Sequence, residues 1–240
     1  MHSQIASWFL ATCCAFHAGA TTFSYSVGAT IPDGNLNGFQ NSQTIDSLAG
    51  AITDLNVTLN ISAGFNGDFY AFLSHNGVTA ILLNRVGRSA TQPVGYPDFG
   101  FGLNSSGSPF TFDDQAPQDV HFYRGLAYNL NGAGQLTGQW QPDGRTLDPL
   151  STGAAFDNAS RPGMLGLFNG ADPNGIWTLY VADVSPGGEG TLVDWGLQIT
   201  TVPEPATASL IACGFFFLLA RHCSNKKSPA NRDSFSRNTD

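Results

Sequence analysis

Few residues in the central part of this 240-residue chain could do acid–base chemistry. Between residues 21 and 201 the only histidines are His75 and His121. A serine hydrolase needs a histidine and a carboxylate arranged around an activated serine. The sequence has no Gly-x-Ser-x-Gly elbow, His-Glu-x-x-His motif or phosphate-binding glycine loop. It therefore predicts no catalytic site, and a structural or surface role for both histidines.

Carboxylates offer two further kinds of chemistry. The adjacent residues Asp113 and Asp114 suggest the paired carboxylates of a glycosidase, but neighbours on a strand point to opposite faces and would not act together. Residues 33–38 match the first half of a calcium-binding loop, with oxygen ligands at alternate positions and glycine at the sharp turn. Thr44 stands where such a loop needs a bidentate glutamate. This segment is therefore interpreted as a turn.

The distribution of cysteine and charge excludes several functions. All four cysteines lie near the chain ends, so residues 21–201 contain no thiol nucleophile, thiolate metal site or disulfide. The same residues hold five arginines, fifteen carboxylates and no lysine, a formal charge of −10. Nucleic-acid binding depends on lysine and arginine neutralising phosphate. The sequence therefore predicts no nucleic-acid partner.

The elements that must position these residues are predicted to be β-strands. Apolar and polar residues alternate in 54–61, 177–182 and 193–200, as in strands with one buried face. Residues 68–73 and 80–83 are more continuously apolar, which indicates strands covered on both faces. Gly- and Pro-rich turns separate these segments. The pattern predicts an all-β sandwich or jelly roll.

Two separate segments resemble the P (Homo B) domain, which accompanies subtilisin-like serine endopeptidases. The first signature is residues 66–77 with 80–85, and the second is residues 168–183 with 190–197. Residues 31–33 match the usual entry to that domain. The resemblance implies a jelly-roll β-sandwich of the P-domain type across residues 21–201, without the protease domain that normally precedes it.

The middle of the domain, about residues 87–166, is longer than in convertases and is expected to be an ordered insertion. Loops of this length are usually functional or disordered. Its aromatic side chains include Tyr96 and Phe101, which we predict as stacking platforms if the domain binds carbohydrate.

The resemblance also implies structural calcium as the one candidate cofactor. Its candidate ligands are six aspartates of the predicted domain, which could equally be capping residues of strand ends and turns: Asp33, Asp68, Asp113, Asp114, Asp172 and Asp183.

The N-terminal segment predicts export. Residues 1–20 combine an apolar stretch with small residues at Ala18 and Ala20, as signal peptidase requires. The positively charged start that is typical of signal peptides is missing. A competing interpretation is a lipoprotein site at residues 10–13, with Cys13 acylated.

The C-terminal segment resembles the PEP-CTERM sorting signal of Gram-negative bacteria, which an exosortase processes. Val202, Pro203, Glu204 and Pro205 precede an apolar segment, residues 206–220, and a basic cluster that begins with Arg221. Fifteen helical residues reach roughly 22 Å, short of the roughly 30 Å hydrocarbon core. Residues 202–227 are thus predicted to be a sorting segment with a short hydrophobic helix, and 228–240 a polar tail. An ordinary membrane anchor is the alternative.

Together these features predict a non-catalytic module sorted to the bacterial cell surface or extracellular matrix. It would be held transiently in the inner membrane and have signal peptidase and exosortase as export partners. Two alternatives remain, an accessory domain of a subtilisin-like protease and a carbohydrate-binding jelly roll that contacts extracellular polysaccharide.

Overall fold

Alternating apolar residues build two β-sheets in the computed structural model, which describes residues 19–202. The strands in that range are β1 (Gly19–Ile31), β2 (Phe39–Ile45), β3 (Ala51–Ala63), β4 (Phe69–His75), β5 (Val78–Asn84), β6 (Gly100–Phe101), β7 (Thr111–Phe112), β8 (Gln139–Trp140), β9 (Gly175–Asp183) and β10 (Gly190–Val202). The helical elements are one α-helical turn, α1 (Gly153–Phe156), and 3-10 helices at Asn66–Asp68, Val120–Gly125 and Leu165–Phe168.

The strands form a sandwich-like pair of sheets, which confirms the predicted all-β class. The larger sheet has the order β1-β10-β3-β7-β8, with β6 also paired to β3. The smaller sheet has the order β2-β9-β4-β5. All strand pairs are antiparallel except β7 with β8. The long strands β3 and β10 therefore form the centre of one sheet, and β4 and β9 the centre of the other.

The apolar positions predicted from alternation face the core. They are fully or almost fully buried in β3, β9 and β10: Leu55, Val57, Leu59, Ile61, Trp177, Leu179, Val181, Trp195, Leu197 and Ile199. Val193 is an exception, because β10 has a bulge between Leu192 and Asp194. The extra residue of a bulge shifts the alternation, so Leu192 is buried and Val193 is only half-buried.

The two continuously apolar segments differ from each other. β5 is buried on both faces from Ala80 onward, as predicted. The prediction for residues 68–73 is wrong, because β4 alternates buried residues with half-buried Tyr70 and Phe72. A tight turn at Asn76 and Gly77 joins the two strands, and both residues have positive φ. Such a turn matches the right-handed twist of a hairpin.

The insertion also supplies hydrogen-bond donors to the backbone of β5. Its backbone runs along the outer edge of that strand, where Asp143 N donates to Leu82 O at 3.0 Å and Gly144 N to Ile81 O at 2.9 Å. On the larger sheet, the insertion supplies β6, β7 and β8. It therefore continues both sheets of the sandwich.

Several predictions concern residues outside the described range. These are the signal segment with Ala18, the sorting residues from Pro203 to Arg221, the apolar helix and the polar tail. Ala20 and Val202 are described, and they lie in β1 and β10. Within residues 19–202, the helices are too short and too polar to cross a bilayer.

Candidate functional site

The two signature segments meet at the centre of the smaller sheet. β4 belongs to the first segment and β9 to the second, and they pair from Phe69 with Asp183 to His75 with Trp177. The last pair stacks face to face, with ring centroids 3.9 Å apart and planes 1° apart. The two segments thus share one packed interface.

His75 is held by backbone carbonyls. Its Nδ1 lies 3.0 Å from Ile176 O and its Nε2 lies 2.8 Å from Asp172 O. The indole of Trp177 donates to Pro173 O at 2.9 Å. His75 is 2% exposed. Both ring nitrogens of His75 thus have partners within the domain, and the side chain has almost no exposed surface.

His121 forms a buried pair that resembles half of a catalytic triad. Its Nδ1 lies 2.6 Å from an oxygen of Asp143, and both side chains are fully buried. In a triad the other ring nitrogen accepts a proton from a nucleophile. Here His121 Nε2 faces Arg88 O at 3.0 Å. The position of the nucleophile is thus occupied by a main-chain acceptor.

Two arginines extend this pair into a network. Arg145 contacts Asp143 at 3.2 Å and Asp119 at 2.8 Å, and Arg161 lies 3.5 Å from Asp119. Arg161 also donates to the carbonyls of Asp143 and Pro142. A buried charge is tolerated only when it is paired and hydrogen-bonded. These contacts therefore join three parts of the insertion.

A second polar cluster lies where β4 begins and β9 ends. Arg85 contacts Asp68 at 3.3 Å, and burial lowers the pKa of Arg85 to about 10. Burial, followed by the carboxylates of Asp68 and Asp33, raises the pKa of Asp183 to about 7. Asp183 is completely buried, and its Oδ2 has no hydrogen-bond partner. The arrangement favours a protonated Asp183 carboxyl below neutral pH.

Only part of the predicted calcium set comes together in this cluster. Both oxygens of Asp33 accept from Gly187 N, at 2.9 and 3.0 Å, and Asp68 is paired with Arg85. Within residues 19–202 no group of three or more acidic, histidine or cysteine side chains is arranged to hold a metal ion. Structural calcium therefore stays a prediction.

The other three aspartates bind backbone amides. Asp113 accepts from Gln115 N at 2.7 Å, and Asp172 accepts from Asn174 N at 2.9 Å. Asp114 accepts from Leu165 N at 3.1 Å and from Gly166 N at 2.6 Å. These are turn and cap contacts, which is the alternative role that the sequence left open.

The two predicted stacking residues differ in how far they are exposed. Phe101 is completely buried in the core, where its ring packs 4.8 Å from that of Phe110. Tyr96 is half-buried between Tyr123, 4.8 Å away, and Arg124, 5.8 Å from its ring centroid. The prediction is wrong for Phe101, since a fully enclosed ring offers no face to a ligand. Most of Tyr96 is used in internal packing.

Sequence reasoning missed the partners of His121. Asp143 and Arg145 follow it by more than twenty residues, in a segment without periodic structure. No local pattern relates them, because the insertion brings them together only when it folds over β5. The composition offered one signal: the domain contains arginine but no lysine, and arginine is the cation that proteins prefer in buried ion pairs.

The chain has little similarity to known proteins. No protein-family profile matches the chain, and no curated protein matches its sequence. Among solved structures, the chain is similar to the complex of the Aeromonas sobria serine protease with its chaperone (ORF2). The identity is 15% over 78% of this chain and 27% of that chain, with a TM-score of 0.40.

A second structure, that of the serine protease of Aeromonas sobria, gives 14% identity over 77% of this chain and 27% of that chain, with a TM-score of 0.38. The chain thus spans 27% of the length of either match. Similarity at this level assigns neither a family nor a function.

Proposed function

We propose that this chain is an exported, non-catalytic module of the P/Homo B type, with a structural or binding role at the bacterial cell surface or in the extracellular matrix. The main support is the pairing of β4 with β9. These strands carry the two signatures that resemble the P domain, and their register ends in the stack of His75 on Trp177. Segments far apart in the sequence thus pack as one unit.

The surroundings of both histidines support a non-catalytic role. A general base must reach the proton that it abstracts. His75 and His121 are buried, and in each ring both nitrogens face oxygen acceptors within the domain.

A peptidase assay tests the non-catalytic role. The purified full-length chain should release no product from a panel of chromogenic peptides. Hydrolysis that a serine-directed inhibitor abolishes would contradict it. Copurification of the inactive chain with a subtilisin-like protease would favour the accessory role instead.

The two terminal segments support export, with retention by a sorting signal. Cleavage after Ala20 would leave Thr21 as the first residue, within β1 and opposite Ile199. The strand would therefore keep most of its pairing with β10 after processing.

Intact-mass analysis of the protein from its native envelope tests export. The expected masses correspond to loss of residues 1–20 and to processing near Pro205. A mass that still contains residues 206–240 would favour an ordinary membrane anchor, and a lipid adduct would indicate acylation at Cys13.

A further inference from the structure

The insertion contains a polar cavity that none of the preceding roles uses. Its volume is about 520 Å³, which is within the range of small-molecule sites, roughly 300–1,000 Å³. Two loops and the start of a third segment line it: Asn104, Ser105, Asn129, Leu130, Asn131, Gly132, Thr137 and Gly138. The lining carries amide and hydroxyl groups and no ionisable side chain.

Two asparagine-centred turns form the walls of the cavity. Asn104 Oδ1 accepts from Ser106 N at 3.0 Å and from Ser108 N at 2.9 Å. Asn131 Oδ1 accepts from Ala133 N at 3.0 Å, and its Nδ2 donates to Leu103 O at 3.0 Å. These bonds fix both turns before any ligand binds, which lowers the entropic cost of binding.

Two exposed polar side chains of the lining are available to hydrogen-bond a ligand. Asn129 is exposed, and only its backbone oxygen is used, as an acceptor from Thr137 N and Oγ1 at 3.1 Å. The amide of Asn129 can both donate and accept. Ser105, also exposed, adds a hydroxyl of the same dual character.

Apolar side chains flank this polar lining. Leu130 lines the cavity and is 39% exposed, and Leu103, which binds Asn131 through its carbonyl, is 46% exposed. Phe99 is 49% exposed and packs beside the turn at Gly134. A sugar ring has a rim of hydroxyls and an apolar C–H face. The cavity and its margin offer a partner for each.

The lack of available cations argues against a polyanionic ligand. Residues 21–201 contain no lysine, and each arginine of the domain is held by an internal contact: Arg85 with Asp68, Arg88 with Pro149 O, Arg124 with Asp98, Arg145 with Asp119, and Arg161 with Asp119. Polyanion recognition needs available cations. An extended peptide that binds by strand addition would instead need a sheet edge, whereas turns form this cavity.

We infer that this cavity binds a neutral polysaccharide through amide and hydroxyl hydrogen bonds. The inference rests on the proposed exported binding role, and it moves the carbohydrate contact from Phe101 to the loops that carry Asn129 and Asn131.

Two glycines allow a matched test of the cavity. A Cβ at Gly132, in the lining, or at Gly125, outside it, would meet no heavy atom within 4 Å, and neither residue has a positive φ. Gly132→Trp should fill the cavity without disturbing the fold, and Gly125→Trp adds the same side chain elsewhere on the insertion. Asn129→Ala removes one polar group and keeps the backbone bond to Thr137.

The experiment is affinity electrophoresis of the full-length chain in gels containing dextran, laminarin, hydroxyethylcellulose, alginate or gelatin. We expect retardation by at least one of the three neutral glycans. Gly132→Trp should abolish it, Asn129→Ala should weaken it at least about tenfold, and Gly125→Trp should leave it unchanged. Circular dichroism and the unfolding temperature establish that each variant is folded.

Three results would overturn the inference: no retardation by any neutral glycan, equal binding by a folded Gly132→Trp variant, or stronger retardation by alginate or gelatin. If Gly132→Trp does not fold, unchanged binding by Asn129→Ala overturns it. None of these results bears on peptidase activity or processing, so the proposed function can stand or fail independently.

Discussion

His75 and Trp177 stack in parallel at 3.9 Å, and this contact joins the two segments that resemble the P domain. Substitution of His75 separates the contribution of the stack from that of the hydrogen bonds. His75→Phe keeps an aromatic ring but removes the N–H that His75 donates to the carbonyl of Asp172 or Ile176, so we expect a loss of about 1–3 kcal/mol in the free energy of unfolding. His75→Ala also loses the stack and should cost about 2–5 kcal/mol. Urea denaturation measures both, and a His75→Phe variant as stable as the wild type would contradict the role of the carbonyl bonds.

Asp143 should be the most sensitive carboxylate of the insertion, because it contacts both His121 and Arg145. Asp143→Ala leaves His121 and Arg145 buried without their shared carboxylate. Removing one partner of a buried pair typically costs about 3–5 kcal/mol. Asp46→Ala, at an exposed position, is the control and should change the free energy of unfolding by less than about 0.5 kcal/mol. Equal stability of the two variants in urea would refute the prediction.

Asp183 should make the domain less stable as the pH rises. Its pKa is about 7 in the folded chain and about 3.9 when unfolded. The folded state therefore binds the proton more tightly, and this stabilising contribution is complete below about pH 4 and is lost as the pH rises through 7.

Asp183→Asn removes this titration and keeps an oxygen for Ser185 N. The free energy of unfolding of the variant, relative to that of the wild type, should rise by about 2 kcal/mol as the pH is raised from 5 to 8, after allowance for solvent screening. Unfolding curves at several pH values measure the difference between the two proteins. A difference that does not vary with pH would rule out Asp183 as the titrating group.

Asp114 should stabilise the end of the insertion, next to the second signature segment. Its carboxylate accepts from Leu165 N and Gly166 N at the start of the 3-10 helix Leu165–Phe168. Asp114→Ala should cost about 1–2 kcal/mol, as for the loss of a helix cap, whereas Asp114→Asn, which keeps an acceptor, should cost less. Thermal unfolding distinguishes the two. Equal losses would indicate that the charge, and not the hydrogen bonds, stabilises this contact.

The all-β sandwich and most of its core were predictable from the residue pattern alone. Strict alternation in residues 54–61 and 177–182 decided which side chains face inward, because successive residues of a strand point to opposite faces. The turn at Asn76 and Gly77 was also predictable from the sequence, since few residues adopt the positive φ that it requires. The positions of the cysteines and charged residues are also read directly from the sequence. The prediction of no nucleic-acid partner rests on them.

The arrangement of the insertion depends on contacts that the sequence does not reveal. A bulge at Val193 changed the register of β10, and the fold of residues 87–166 enclosed Phe101, paired His121 with Asp143 and placed Asn104 and Asn129 at one cavity. Contacts between residues so far apart depend on loop closure and packing, which leave no periodic signal in the chain. The candidate binding site therefore lies in the segment whose sequence carried the weakest pattern.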